Sequence, residues 1–89
     1  MTLKEKLKAI IAEIEKGRKL QDGVEEGVKA KFPGMNTQDL NMMLNESSKW
    51  FGETGYINAN QSGKSAILLT FFSKLYQAAD MREFFNSLT

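Results

Sequence analysis

The sequence predicts an all-α protein, a small bundle of four to five helices forming a single domain over residues 1–89. Three observations carry that prediction. Apolar residues recur at intervals of three and four along most of the chain, helix-capping patterns stand ahead of those segments, and the only proline falls between two of them at position 33.

Thr2 stands three residues before Glu5, the pattern in which each side chain satisfies an orphan backbone N–H of the other, so a helix starts here. Leu3, Leu7, Ile10, Ile11 and Ile14 then line one face, with Lys4, Lys8, Glu15 and Lys19 turned away. Gly17 weakens the second half of this segment, and Asp22-Gly23 has the composition of a terminus or kink. Two arrangements fit: a helix ending near Leu20 followed by a second one capped by Asp22, or a single long helix continuing through Leu20, Val24 and Val28. Gly23 and Gly27, one turn apart, would admit a close helix neighbour, but a lone pair of this kind in a chain without a membrane span is read as two tolerated surface glycines. Phe32-Pro33-Gly34 ends the segment, because the residue before proline is pushed out of the α region.

Asn36 and Thr37 are both good N-caps, and Asp39 suits the positive end of the helix that comes after them. Leu40, Met43, Leu44, Ser47, Trp50 and Phe51 mark its inner face, which predicts a helix over 38–51 closed by Gly52 and Gly55. Residues 52–62 carry two glycines and two asparagines without a sustained period, the composition of a long connection. From Ser62 to Ala79 the chain is apolar on more than one face, which places this helix at the centre of the core. Asp80, three residues before Glu83, predicts a break and a short final helix carrying Met81, Phe84, Phe85 and Leu88. Leu40, Leu44, Leu68, Phe71 and Leu75 are expected in the core.

Composition narrows the chemistry. There is no cysteine and no histidine, which removes disulfides, the two usual structural-zinc ligands and the commonest general base. Stability therefore has to come from packing or self-association. The carboxylate pairs Glu13 with Glu15 and Glu25 with Glu26 splay across their helices and form no facing dyad. A non-enzymatic protein with no cofactor and no metal is expected.

Twelve basic against eleven acidic residues give a net charge of +1, too little for a long-range field toward nucleic acid or an anionic membrane. The charged N-terminus lacks the apolar run of a signal peptide, and no apolar stretch approaches the roughly 20 residues of a membrane span, so a cytoplasmic location without a membrane partner is expected.

The residues support three binding readings. The leading one is a protein-interaction or regulatory module that binds a partner protein and forms a homo-oligomer. The nine aromatics and several methionines are many for one small core, and such residues are enriched at interface centres. Met42, Phe72, Tyr76, Phe84 and Phe85 are the candidate interface positions. The alternative is a phosphate or nucleotide-like anion held at the helix start Ser62, Gly63, Lys64 and Ser65. That segment ends like a phosphate-binding loop, but Asn58 stands where the loop needs glycine, and no strand precedes it. Nucleic-acid binding through Lys4, Lys8, Arg18 and Lys19 ranks last, because six acidic residues interleave with the eight basic ones of residues 1–32.

Overall fold

Five α-helices succeed one another without a strand: α1 (Leu3–Glu15), α2 (Leu20–Lys31), α3 (Thr37–Thr54), α4 (Gln61–Gln77) and α5 (Met81–Leu88). The computed structural model describes Met1–Thr89. α1 and α2 form an antiparallel hairpin, α4 packs on both of them, α3 lies against α2, and α5 closes against α3 and α4.

α1 begins in the expected reciprocal cap. The Glu5 N–H donates to the Thr2 hydroxyl (3.2 Å) and the Thr2 N–H to the Glu5 carboxylate (3.1 Å). Its other end rules out the single long helix and keeps the two-helix arrangement with the break moved, since the first helix stops at Glu15 rather than near Leu20. The Gly17 N–H reaches the Ile14 carbonyl and the Arg18 N–H the Glu13 carbonyl, both at 3.0 Å, the paired bonds of a Schellman turn. That turn needs a positive φ, and Gly17 supplies it at +120°. α2 then starts at Leu20 with Lys19 in the cap position and no side-chain cap. Asp22, expected there, instead lies in the first turn, where its charge faces the positive helix end.

Gly23 and Gly27 are buried, not surface glycines. A Cβ added at Gly23 would lie 2.6 Å from the Ile14 Cδ1, and one at Gly27 would lie 2.7 Å from the Phe72 ring. The missing side chains let the α2 backbone seat against α1 on one side and α4 on the other. The chemistry matches the close-approach pattern known from membrane helices, here working in a hairpin whose apolar face is covered by its own chain.

α3 is capped by Asn36, whose side chain accepts the Asp39 N–H (2.8 Å). It runs one turn beyond the expected Phe51, because Gly52 stays helical and the left-handed cap falls on Gly55, at φ +75°. The expected long connection over 52–62 shrinks accordingly. Tyr56–Asn58 form a turn of 3-10 helix, leaving only Ala59 and Asn60 before α4. Asn60 caps α4 by accepting the Gly63 N–H (2.8 Å), so the helix starts at Gln61, one residue before the expected Ser62. The break at Asp80 falls where expected, with its carboxylate accepting the Glu83 N–H (2.8 Å) at the start of α5.

α4 supplies the centre of a core of 15 buried apolar residues. Leu68, Phe71 and Leu75 are fully enclosed, whereas Leu40 and Leu44 are half-buried and pack against the cluster from α3. Phe71 is the hub. Its ring meets Phe51 (4.8 Å between centroids), Phe72 (5.3 Å), Trp50 (5.6 Å) and Phe84 (5.7 Å), drawing α3, α4 and α5 onto one side chain. Tilted and edge-on pairs of this kind contribute about 0.5–1.5 kcal/mol each beyond the area they bury. The one buried polar side chain, Ser47, is satisfied by donating to the Met43 carbonyl (2.7 Å).

Two glycine substitutions separate close packing from helix propensity. Gly27→Ala places a methyl against a buried ring that has no room to swing, so overpacking of about 1–3 kcal/mol outweighs a propensity gain of about 1 kcal/mol. Gly52→Ala has open space around it and keeps the whole gain. In thermal melts of the two variants, Gly27→Ala lowers Tm and Gly52→Ala raises it by about 4–8 °C.

Candidate interaction surfaces

Of the five candidate interface residues, the fold divides the set. Phe72 and Phe84 are 2% and 0% exposed and leave the candidate surface, because Phe72 fills the space above Gly27 and Phe84 meets the Phe71 hub edge-on. Met42 (49%) and Tyr76 (43%) are exposed, and Phe85 is half-buried. Leu69, 55% exposed, joins them as a position that sequence reasoning misses. It belongs to the run Ile67, Leu68, Leu69, where periodicity alone does not say which residue faces out.

These side chains fall on two separate recesses that share no helix. The first lies between α3 and α5, about 280 Å³ in volume, with Met42, Met43, Met81 and Phe85 on its walls and Asp39 and Arg82 at its rim. Neither charge is engaged in an ion pair. The second lies between α1 and α4, about 260 Å³, where Leu69 and Tyr76 face Lys4 and Lys8 across a floor of Leu7, Ile11 and Phe72. Glu15 on α1 bonds Ser65 near the start of α4, while Lys4 lines the same groove as Gln77 at its end, so the two helices run antiparallel.

At the start of α4 three of the four expected anion-binding residues, Gly63, Lys64 and Ser65, are engaged within the chain, and Ser62 makes no side-chain hydrogen bond. The Gly63 N–H is taken by Asn60, the Ser65 hydroxyl donates to the Glu15 carboxylate, and the Lys64 ammonium sits 5.6 Å from the Tyr56 ring centroid. A carboxylate of α1 thus already stands beside this helix end, where positive helix charge favours an anion. Burial, and then the negative charge of Glu15, push the Tyr56 phenol above the ordinary tyrosine range.

The cations of the first two helices are likewise divided. Arg18 donates to Glu13 (2.6 Å) and Glu26 (2.8 Å), clamping the hairpin across its turn, and this bond holds the Glu26 carboxyl below its usual range. Lys29 pairs with Glu25 one turn away (3.2 Å). The adjacent acidic residues therefore separate, Glu13 to Arg18 and Glu15 to Ser65, Glu26 to Arg18 and Glu25 to Lys29. Lys4 and Lys8 have no acidic partner. Lys31 reaches from the end of α2 to the Tyr76 carbonyl (2.8 Å), satisfying an orphan acceptor in the last turn of α4.

No helix is long and apolar enough to cross a membrane. Comparison with protein-family models, with curated proteins and with solved structures gives no match.

The contact between α1 and α4 is open to titration. Folded Tyr56 keeps its proton to higher pH than the unfolded chain's tyrosine, so its contribution to stability is intact below the ordinary tyrosine value of about pH 10 and is lost as pH rises from there through the higher folded value. Glu15→Gln removes the second of the two causes and leaves burial in place. Followed by the ring resonances of Tyr56, the ionisation moves down only part of the way toward the ordinary tyrosine value; no movement would place Glu15 too far away to act.

Proposed function

We propose that this chain is a non-enzymatic protein-interaction module that pairs with a second copy of itself through the α3–α5 recess. The observation that carries this reading is the arrangement of that recess. Exposed Met42 stands beside Met81 and Phe85, and the two unpaired rim charges are of opposite sign. In a two-fold interface a patch meets itself, so residue i of one copy faces residue j of the other and the reverse. Asp39 and Arg82 satisfy that rule, each rim charge finding its complement on the other protomer. Methionine suits the centre of such a contact because its flexible thioether adapts to the facing surface.

The charge distribution supports the same reading against nucleic acid, since Arg18, in the turn between α1 and α2, is held between two carboxylates while Lys4 and Lys8 line the separate α1–α4 groove.

Light scattering on the intact chain tests the proposal. The wild-type protein should run as a dimer and Met42→Lys as a monomer of unchanged helicity, because the side chain replaced is half exposed. Asp39→Arg should dissociate the dimer by setting like charges opposite each other, and adding Arg82→Asp in the same chain should restore it. A wild-type monomer at high concentration, or a failure of the double variant to recover, sinks the two-fold reading.

A further inference from the structure

We infer that the α1–α4 groove is a second docking site, and that its occupant is an acidic amphipathic helix of a partner protein. The inference rests on reading the chain as an interaction module, but it concerns a different surface from the one that pairs the copies.

The groove has the form that receives a helix. Its walls are two antiparallel helices, and a third helix seated between such a pair packs at the usual spacing of about 8–10 Å. Leu69 and Tyr76 are seven residues apart on α4, hence two turns apart on one face, and both are exposed. An occupant placing apolar side chains at matching turns would cover both, the common mode in which an amphipathic helix is read through anchors at i, i+3, i+4 and i+7.

The charges say which kind of helix. Lys4 and Lys8 stand one turn apart on the α1 wall, exposed and free of any ion pair. The nearby Glu5 is turned into the helix cap by its bonds to Thr2, so that it feels the charge of Lys8 but does not pair with it. Lys31 adds a third cation at the Tyr76 end, 5.8 Å from the ring centroid. No acidic residue lines the groove, in a chain whose acids and bases otherwise nearly balance. Carboxylates one turn apart on the occupant would meet Lys4 and Lys8 while its apolar face covers Leu69 and Tyr76. A nucleic-acid strand fits less well. The basic stretch covers little more than one helical turn, and beyond it α1 presents Glu15, which would repel a continuing phosphate track.

The test titrates the 89-residue chain into a fluorescently labelled helical peptide of about 15 residues, with leucines on one face and glutamates flanking them. Fluorescence anisotropy gives the affinity, and amide chemical shifts locate the site. Saturable binding should move the resonances of Lys4, Lys8, Leu69 and Tyr76. The affinity should fall at least about tenfold in Lys4→Glu/Lys8→Glu and separately in Leu69→Lys, all exposed positions whose variants keep their helicity by circular dichroism.

The inference is overturned if the acidic peptide does not saturate, if a version with lysine in place of glutamate binds as well, if a single-stranded oligonucleotide takes the groove in preference, or if the shifts map to α3 and α5. Because dimerisation is read independently by light scattering, a failed peptide titration on an intact dimer rejects this site and leaves the self-association reading standing.

Discussion

The bundle depends on how closely the backbone of α2 approaches its neighbours. At Gly23 and Gly27 the space a methyl would need is filled by Ile14 and by the ring of Phe72, so α2 is sunk between α1 and α4. That placement lets α1 and α4 reach each other over α2, and it fixes the floor of the groove between them, where Leu7, Ile11 and Phe72 meet. Larger residues at either position would push the hairpin away from α4 and separate the two walls. With no disulfide and no metal ligands of the usual kind, this contact and the ring cluster around Phe71 carry a burden that staples carry in many chains of similar length.

The ring cluster explains where the aromatic surplus goes. Nine aromatic residues are many for a small core, yet Phe71 alone takes four neighbours by letting rings meet edge-on and tilted. Phe51 gathers Tyr56 as well, and Phe84 gathers Phe32. Of the large apolar side chains that stay exposed, Met42, Leu69 and Tyr76 border the two recesses together with half-buried Phe85, whereas Met1 and Ile57 lie away from both.

Local chemistry is legible in the sequence, and spatial neighbours are not. The caps at Thr2, Asn36 and Asp80 stand where their side chains predict, because capping is settled within four residues. Gly17 reads as a weak point, but the turn centres there instead of at Asp22-Gly23; the glycine is the mark of such a cap, and which of two glycine positions ends the helix is decided by the backbone bonds of the hairpin. Gly23 and Gly27 read as surface residues because the partners that justify them, Ile14 across the hairpin and Phe72 some 45 residues on, are a tertiary fact. The same reason governs the surface. Residue type places Met42 and Tyr76 among candidates, but it cannot separate them from Phe72 and Phe84, whose burial depends on the elements packed above them, or show that Glu15 stands beside the start of α4.

The break at Asp80 leaves a final helix of eight residues, too few to hold a helix in water unaided, so α5 exists as a helix only while Phe84 and Leu88 are docked. Its outer edge, with Met81, Arg82 and Phe85, is also one wall of the α3–α5 recess. Release of this segment would uncover the Phe71 ring and erase the recess in the same event. Order in the last helix and availability of that surface are therefore a single equilibrium, and anything that settles on the recess acts as a latch on the core beneath it.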